Sequence, residues 1–234
     1  MKKLVCFTLV IGLCFALCVP ALAHDTGTAT ITTTLSSGFG SYCERTMVIK
    51  SDGSLWMWGG FVTPFIDPKY GGMNTGYRNS PVKIMDDVIC VSCGDDYTAT
   101  VKKDGTLWTW GDNQYAQLGN GEKSDRNAVI DKSKDKHTPQ KIMDGVSVCC
   151  ADSYSTAVSF AIKSDGSLWR WGWTDTVPYE VTDNASFVSP GFVIKTDGSL
   201  WSIDDLSSKI MDNVCAVAGT SATFAITNDG DLYG

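Results

Sequence analysis

The sequence predicts an all-β protein built of repeated four-stranded sheets, and recurring hairpin motifs are the main reason. In each copy an Asp-Gly pair separates two apolar runs, as it does between residues 46–49 and 54–58. Asp-Gly in this setting predicts a tight hairpin, because glycine readily adopts the positive φ that the turn requires. The aspartates at the centres of the five hairpins are Asp52, Asp104, Asp165, Asp197 and Asp229.

Two further features extend each hairpin to a four-stranded unit. An Ile-Met-Asp turn motif lies at residues 84–88, 142–146 and 210–214, with a degenerate copy at 181–185. Each copy leads into a run of small apolar residues, which predicts an innermost strand. The second strand of each hairpin is apolar at nearly every position, as in residues 55–58. Such a strand is expected where a sheet is covered on both faces.

Sheets stacked on both faces in this way predict a β-propeller of four-stranded blades. The chain after residue 23 holds about 42 residues per hairpin, close to the roughly 40–50 residues of a propeller blade. We expect about five repeats in residues 24–234, with the ring either incomplete or open. The alternatives are a fragment of a longer product and an N-terminal strand at residues 28–34 that helps to close a small ring.

Tryptophans recur after every complete hairpin and are expected to pack one blade against the next. They are Trp56, Trp58, Trp108, Trp110, Trp169, Trp171 and Trp201. An aromatic side chain removes about 150–250 Å² from water, so these residues would supply much of the cohesion between blades. The alternative is a row of exposed aromatic rings that binds a ligand. Regular recurrence favours the packing role.

The first 23 residues predict a signal peptide. Lys2 and Lys3 precede an apolar run at residues 4–18, and residues 21–23 form an Ala-Leu-Ala cleavage site. The apolar run is shorter than the roughly 20 residues of a membrane-spanning helix. We therefore expect a secreted or cell-surface protein with no membrane segment after cleavage.

Six cysteines remain after the predicted cleavage, and their spacing is irregular. They are Cys43, Cys90, Cys93, Cys149, Cys150 and Cys215. An even number in an exported chain permits disulfides. However, most of them lie in apolar strand-like runs, where cysteine behaves as a small buried hydrophobic residue. Cys90 and Cys93 would point to opposite faces of one strand, so a shared zinc site is not expected.

The composition favours binding over catalysis. The chain has a net charge of −7 and two histidines, His24 and His137. We find no Ser-His-Asp or Cys-His set, no paired glutamates, no phosphate-binding loop and no cluster of Lys and Arg for nucleic acid. The loop at residues 112–125 lacks the alternating acidic residues of a calcium loop. No catalytic residue, cofactor or metal site is therefore predicted.

Two long insertions, at residues 60–80 and 112–139, are the predicted partner-binding segments. Both follow a Trp-Gly pair, so they should lie on one face or edge of the ring, where repeat proteins usually bind. Exposed Tyr and Arg are enriched at binding hot spots. The candidate contact residues are Phe61, Phe65, Tyr70, Tyr77, Arg78, Tyr115, Lys123 and Arg126. Alternatively, these aromatic residues pack only onto their own blade.

The second repeat carries the most specific motifs. Its hairpin reads KDGTLWTWGDN at residues 103–113, followed by QLGNG at 117–121, with Ala116 directly before that loop. Pro81 and Pro139 precede outer strands. These motifs resemble the regulator of chromosome condensation repeat, with Ala116 in place of the usual first glycine. The resemblance covers residues 40–234 and implies a propeller, which in that family is usually seven-bladed.

The predicted function is a secreted, non-catalytic binding scaffold that recognises a protein or glycan partner through its propeller loops. The resemblance implies one alternative, guanine-nucleotide exchange on a small GTPase, against which the export signal counts. It also implies a third function, inhibition of a secreted enzyme.

Overall fold

The computed structural model describes residues 35–40, 43–59, 78–94, 97–124, 133–152, 157–219 and 223–234. The predicted signal peptide and the predicted strand at residues 28–34 lie outside these ranges. All regular secondary structure within them is β-strand. No helix in this described part of the chain is long and apolar enough to cross a membrane.

Within these described residues, nineteen strands form five antiparallel sheets, which we call blades 1 to 5. Blade 1 contains β1 (Leu35–Gly40), β2 (Cys43–Ile49), β3 (Leu55–Gly59) and β4 (Arg78–Met85). Blade 2 contains β5 (Val88–Cys93), β6 (Tyr97–Lys102), β7 (Leu107–Gly111) and β8 (Lys136–Met143). Blade 3 contains β9 (Val146–Ala151), β10 (Val158–Lys163), β11 (Leu168–Gly172) and β12 (Asp175–Thr182). Blade 4 contains β13 (Ala185–Ser189), β14 (Phe192–Lys195), β15 (Leu200–Ser202) and β16 (Lys209–Met211). Blade 5 contains β17 (Val214–Gly219), β18 (Thr223–Thr227) and β19 (Leu232–Tyr233).

Each sheet pairs its strands in chain order, so every blade is a simple meander. Blades 1 to 4 each have four strands, as the repeat pattern predicts, and three strands are described in blade 5. The pairing of the third and fourth strands shifts register twice in each of blades 1, 2 and 3. A proline lies in the outer strand of these blades, at Pro81, Pro139 and Pro178. Because proline lacks an N–H, it discourages pairing at an exposed sheet edge.

The Asp-Gly hairpins form by a local hydrogen-bonded turn. In blade 1, Gly53 has a φ of 81° and its N–H donates to the Lys50 carbonyl at 2.9 Å. The Ser54 hydroxyl and amide donate to the Asp52 carboxylate at 2.6 and 2.8 Å. These hydrogen bonds lower the pKa of Asp52, because they favour its charged form. Equivalent hydrogen bonds lower the pKa of Asp104, Asp165 and Asp197.

The turns between blades lie against these hairpins and define one face of the protein. Asp87, at a φ of 60°, lies next to Gly53, and the Val88 N–H donates to the Gly53 carbonyl at 2.9 Å. The same contact recurs from Val146 to Gly105, as it does in the next two repeats. We call this face the turn face. Connections from the third to the fourth strand of each blade leave from the opposite face, which we call the loop face.

The hydrophobic core consists of a separate cluster at each junction between successive blades. Between blades 2 and 3, for example, Val101 and Leu107 pack with Val146 and Cys149. Cys90 belongs to this cluster, whereas Cys93 packs in the cluster between blades 1 and 2. The two cysteines therefore face opposite ways, as predicted from their spacing. The thiols of Cys149, Cys150 and Cys215 are free, so these three are not part of a disulfide framework.

The tryptophans do not all pack between blades, which corrects part of the prediction. Trp110 and Trp171, the second of each pair in blades 2 and 3, are buried, whereas Trp58 of blade 1 is partly exposed. The first tryptophans remain partly exposed. The indole of Trp56 donates to Ser54 Oγ at 2.7 Å, and the Lys50 ammonium lies 3.7 Å from the ring centroid. Lys163 and Lys195 occupy the position of Lys50 in blades 3 and 4. Each makes a similar cation–π contact with the first tryptophan of its own hairpin.

Candidate functional site

The loop that follows β7 is held together by its own polar side chains. Asn113 is buried, and its amide donates to Asn120 Oδ1 at 3.2 Å and to the Glu122 carbonyl at 3.0 Å. Gln117 donates to the Asp112 carboxylate at 2.7 Å and accepts from the Tyr115 N–H at 2.7 Å. This network uses the polar groups that a calcium ion would need. Among the described residues no cluster of acidic, Cys and His side chains could hold a metal ion.

Lysines also neutralise the acidic end of this loop. Glu122 forms ion pairs with Lys136 at 2.5 Å and with Lys134 at 3.5 Å. The hydrogen bond from Lys136, together with the positive charge of both lysines, lowers the pKa of Glu122. The described part of the loop, residues 112–124, is therefore held by its own hydrogen bonds and by ion pairs to Lys134 and Lys136.

The same loop attaches blade 2 to blade 3. The Gln117 carbonyl accepts hydrogen bonds from the Trp171 indole and from Ser159 Oγ, both at 2.9 Å. Gly119, at a φ of 69°, lies flat against Trp171, and a Cβ at Gly119 would come within 2.7 Å of the indole ring. The Gly121 N–H donates to the Thr176 carbonyl of β12 at 2.8 Å. These contacts fix the loop relative to the outer edge of blade 3.

Two aromatic side chains meet on the loop face where the loop contacts blade 3. Tyr115 stacks on Trp173, with ring centroids 5.9 Å apart and an angle of 19° between the ring planes. Trp173 is in the turn between β11 and β12, has a φ of 62° and is 45% exposed. The Lys123 ammonium donates to the Trp173 carbonyl at 2.8 Å. A tryptophan in the left-handed region of positive φ is unusual. Here the ring contact with Tyr115 and the hydrogen bond from Lys123 hold Trp173 in this conformation.

The exposed apolar surface continues along the outer strand of blade 3. Val177 is exposed and lies beside Gly121 of the same loop. Tyr179, two residues further along the same strand, is also exposed. We call this surface the Trp173 patch and define it as Tyr115, Trp173, Val177 and Tyr179. A cluster of exposed apolar side chains on a soluble protein is typical of an interaction site.

The structure describes only some of the predicted contact residues. Tyr115 and Lys123 both contact Trp173, so these two meet at one place. Arg78 is the first residue of β4, in the outer strand of blade 1. The remaining candidates lie outside the described residues, namely Phe61, Phe65, Tyr70, Tyr77 and Arg126.

Trp173 was not among the residues predicted from the sequence, although it is the centre of the patch. A signal was present: Trp173 directly follows the Trp-Arg-Trp-Gly segment of blade 3, where no other repeat has a tryptophan. It lies in the short connection between β11 and β12 and is 45% exposed. Aligning the repeats of this chain reveals the additional tryptophan at position 173, but it does not reveal that Tyr115 stacks on it.

Comparison with protein families identifies the repeats. Two models described as "Regulator of chromosome condensation (RCC1) repeat" match residues 104–158 and 88–117. The chain carries RCC1 repeats. The matched segments cover blade 2 and the first strand of blade 3, and they include Tyr115 and Lys123 but not Trp173. The RCC1 resemblance and the β-propeller fold predicted from the sequence are thus confirmed.

Curated relatives are similar over large parts of this RCC1-repeat chain. The ultraviolet-B receptor UVR8 of Arabidopsis thaliana is 27% identical over 160 residues, which cover 63% of this chain and 31% of that protein. The human E3 ubiquitin-protein ligase HERC2 is 24% identical over 207 residues, covering 80% of this chain and 4% of HERC2. This chain therefore spans about a third or less of the length of these relatives.

Solved structures show the same fold at low sequence identity. Yeast RCC1 (Prp20), in its complex with Kap60, superposes with a TM-score of 0.61 at 17% identity, covering 81% of this chain and 53% of Prp20. Human WBSCR16 gives a TM-score of 0.61 at 17% identity, covering 86% of this chain and 61% of that protein. Another structure of Prp20p, from Saccharomyces cerevisiae, is described together with its binding to Gsp1p and histones.

Proposed function

We propose that this protein is an exported, non-catalytic scaffold that binds a protein partner through the Trp173 patch. The stack of Tyr115 on the 45% exposed Trp173 is the observation that carries the proposal. Tryptophan and tyrosine are the residue types most enriched among binding hot spots. They bring a large apolar area and lose little conformational entropy when a partner covers them.

The geometry favours binding because the patch is ordered in advance. The loop network around Asn113 fixes the backbone that carries Tyr115, and Lys123 holds the backbone of Trp173. A surface that is already in its bound conformation avoids the cost of ordering side chains on association. In this proposal Lys123 positions the aromatic pair, while Trp173 and Tyr115 provide the contact area.

Three considerations support the rest of the proposal. Prp20 of yeast is described with protein partners, namely Kap60, Gsp1p and histones, which favours a protein over a glycan as the ligand of a related propeller. The N-terminal sequence favours export. The histidine-poor sequence offers no familiar acid–base or nucleophile set, which favours a scaffold without catalysis.

Site-specific photocrosslinking tests the proposal. A photoreactive amino acid is placed at Trp173, and a matched control carries it at Ile89, which is also 45% exposed. We expect a protein adduct from the native extracellular medium at position 173 and none at position 89. The isolated partner should then bind the unmodified protein at least about 30-fold more tightly than it binds Trp173→Ala, since hot-spot truncation costs about 2 kcal/mol or more.

Two outcomes would contradict this proposal. Equal labelling at both positions would mean that the Trp173 patch has no preferred protein partner. Binding to an immobilised glycan array that is lost in Trp173→Ala, without any protein adduct, would assign the patch to a glycan instead.

A further inference from the structure

Arg170 of blade 3 carries a positive charge for which the described part of the chain provides no acceptor. Its Nε atom is buried and has no hydrogen-bond partner among the described residues. The two terminal guanidinium nitrogens also make no hydrogen bond or ion pair with a described residue, but they are not buried, so they reach the surface. Because buried polar groups are normally hydrogen-bonded, a half-buried guanidinium group without an acceptor is an unusual feature of a folded protein.

Backbone pairing places Arg170 on the face of blade 3 that is directed at blade 4. Arg170 pairs with Phe160 on β10 and with Tyr179 on β12, and directly paired residues lie on the same face of a sheet. Phe160 is buried in the cluster that joins blades 3 and 4 and that includes Val193 and Ile203. Tyr179 is 40% exposed. Arg170 therefore lies between a buried and an exposed aromatic residue, on the strand next to the outer edge of the blade.

The other complete blades have uncharged residues at this position, namely Met57, Thr109 and Ser202. In blade 2 the Thr109 hydroxyl donates to the Leu118 carbonyl at 2.8 Å, so the loop after β7 provides its acceptor. Only residues 173 and 174 separate β11 from β12, so blade 3 has no equivalent loop to do the same for Arg170. The acceptor of this guanidinium group must therefore come from another source.

We propose that Arg170 binds a carboxylate of the protein partner, namely an Asp or Glu side chain with apolar neighbours, beside Tyr179 of the Trp173 patch. This inference rests on the proposed function, because the carboxylate belongs to the partner of that patch. A guanidinium group and a carboxylate form two parallel charge-assisted hydrogen bonds, a geometry that lysine does not reproduce.

The surroundings of Arg170 favour a single carboxylate over other anions. A phosphate group or a run of acidic residues brings more negative charge, and the net charge of −7 of the chain would repel it more strongly. Phe160 and Tyr179 flank Arg170 on the neighbouring strands, so apolar side chains on either side of the carboxylate suit the aromatic surface.

Titration of the ¹⁵N-labelled protein with the peptide N-acetyl-Leu-Glu-Leu-amide tests this inference. The Nε–H resonance of Arg170, assigned by its absence in Arg170→Lys, should shift and saturate. The matched peptide with Gln in place of Glu should bind at least about tenfold more weakly, because it loses hydrogen bonds to a charged group. Followed through the peptide signals, Arg170→Gln should weaken binding of the Glu peptide by a similar factor. Lys141→Gln, which removes an exposed positive charge of blade 2, is the matched control and should bind normally.

Urea unfolding separates this role from a structural one. Arg170→Gln should keep or raise the urea midpoint, because it removes a half-buried charge that has no acceptor among the described residues. A lower midpoint would assign Arg170 to the architecture of blade 3 and overturn the inference. Equal binding of the Glu and Gln peptides, or undiminished binding of the Glu peptide by Arg170→Gln, overturns it as well.

The partner isolated through position 173 distinguishes this inference from the proposed function. We expect that partner to bind Arg170→Gln at least about tenfold more weakly than it binds the unmodified protein. A partner whose binding depends on Trp173 but not on Arg170 leaves the proposed function intact and overturns the inference. Conversely, binding of the Glu peptide at Arg170 without any protein adduct at position 173 contradicts the proposed function and still supports a carboxylate site at Arg170.

Discussion

Replacing Trp171 by phenylalanine should destabilise the protein far more than the same change at Trp169, two residues earlier in β11. Trp171 is fully buried, and its indole donates to the Gln117 carbonyl at 2.9 Å. It also supports Gly119 in the loop that joins blades 2 and 3. Trp169 is partly exposed and donates to Ser167 Oγ at 3.0 Å within its own hairpin.

The expected magnitudes follow from these contacts. Trp171→Phe removes a buried hydrogen bond, worth about 1 kcal/mol. It also leaves a cavity of roughly 40 Å³, which costs about 1 kcal/mol more. We therefore expect the free energy of unfolding to fall by about 2–3 kcal/mol. Trp169→Phe loses a hydrogen bond and part of the cation–π contact with Lys163, both near solvent, for a total of about 0.5–1 kcal/mol.

Urea unfolding followed by far-ultraviolet circular dichroism measures both effects on the same scale. At an m value of about 2–3 kcal/mol/M, Trp171→Phe should lower the midpoint by roughly 1 M and Trp169→Phe by less than half of that. The comparison requires an unchanged m value in both variants. If the two variants lose the same stability, the loop is not an important attachment between blades 2 and 3.

Three other predictions concern the turns, the thiols and the loop. Hydrogen bonds lower the pKa of Asp165 in the folded protein, so they contribute stability that is complete above the unfolded pKa of about 3.9. This contribution is lost as the pH falls through the lower folded pKa. The melting temperature of Asp165→Asn should therefore change less between pH 5 and pH 2 than that of the unmodified protein. Cys215 should react with a thiol reagent within minutes in the native protein, whereas Cys149 and Cys150 should be labelled only on unfolding. The reason is that burial raises the pKa of both buried thiols, that of Cys150 to about 12. Mass spectrometry of labelled peptides checks this order, and early labelling of Cys149 would contradict it. Gly119→Ala should lower the urea midpoint by at least as much as Trp171→Phe, because its Cβ would come within 2.7 Å of the indole and its φ is 69°.

The repeat pattern predicted the blades because its signals are local. An Asp-Gly turn needs only the residues on either side of it, as the hydrogen bonds of Asp52 to Ser54 show. The turn motif at residues 84–88 likewise depends on a positive φ at Asp87, one residue before β5. The alternation of strand and turn could therefore be read from the chain, together with the apolar composition of the strands that pack between blades.

The lysine–tryptophan contacts show where a local pattern is not enough. An unbroken apolar run predicts that both faces of a strand are covered, and it does not distinguish Trp56 from residues packed between blades. Trp56 is instead partly covered by Lys50, which lies across the hairpin from it. Because a lysine stem can cover an aromatic ring while its charge stays in water, the apolar run is compatible with a strand that is only partly buried.

The Trp173 patch could not be predicted because it depends on two blades at once. Tyr115 and Trp173 are 58 positions apart in the sequence, and they meet only because Gly119 and Gln117 bring the loop onto Trp171. The repeat alignment predicts where the insertions start, but not which neighbouring turn an insertion contacts. That contact involves the short β11–β12 connection of blade 3, which carries Trp173.

The loop after β7 therefore has two roles, attaching blade 2 to blade 3 and presenting Tyr115, and different residues carry each role. Gln117 and Gly119 face blade 3 and hold the two blades together, whereas Tyr115 projects from the same loop onto Trp173. Changing Gly119 should disturb both stability and binding, because it moves the backbone that carries Tyr115. Changing Tyr115 should leave the contacts of Gln117 with Trp171 in place. A binding defect without a loss of stability in Tyr115→Ala would thus assign the aromatic pair to recognition rather than to the architecture of the repeats.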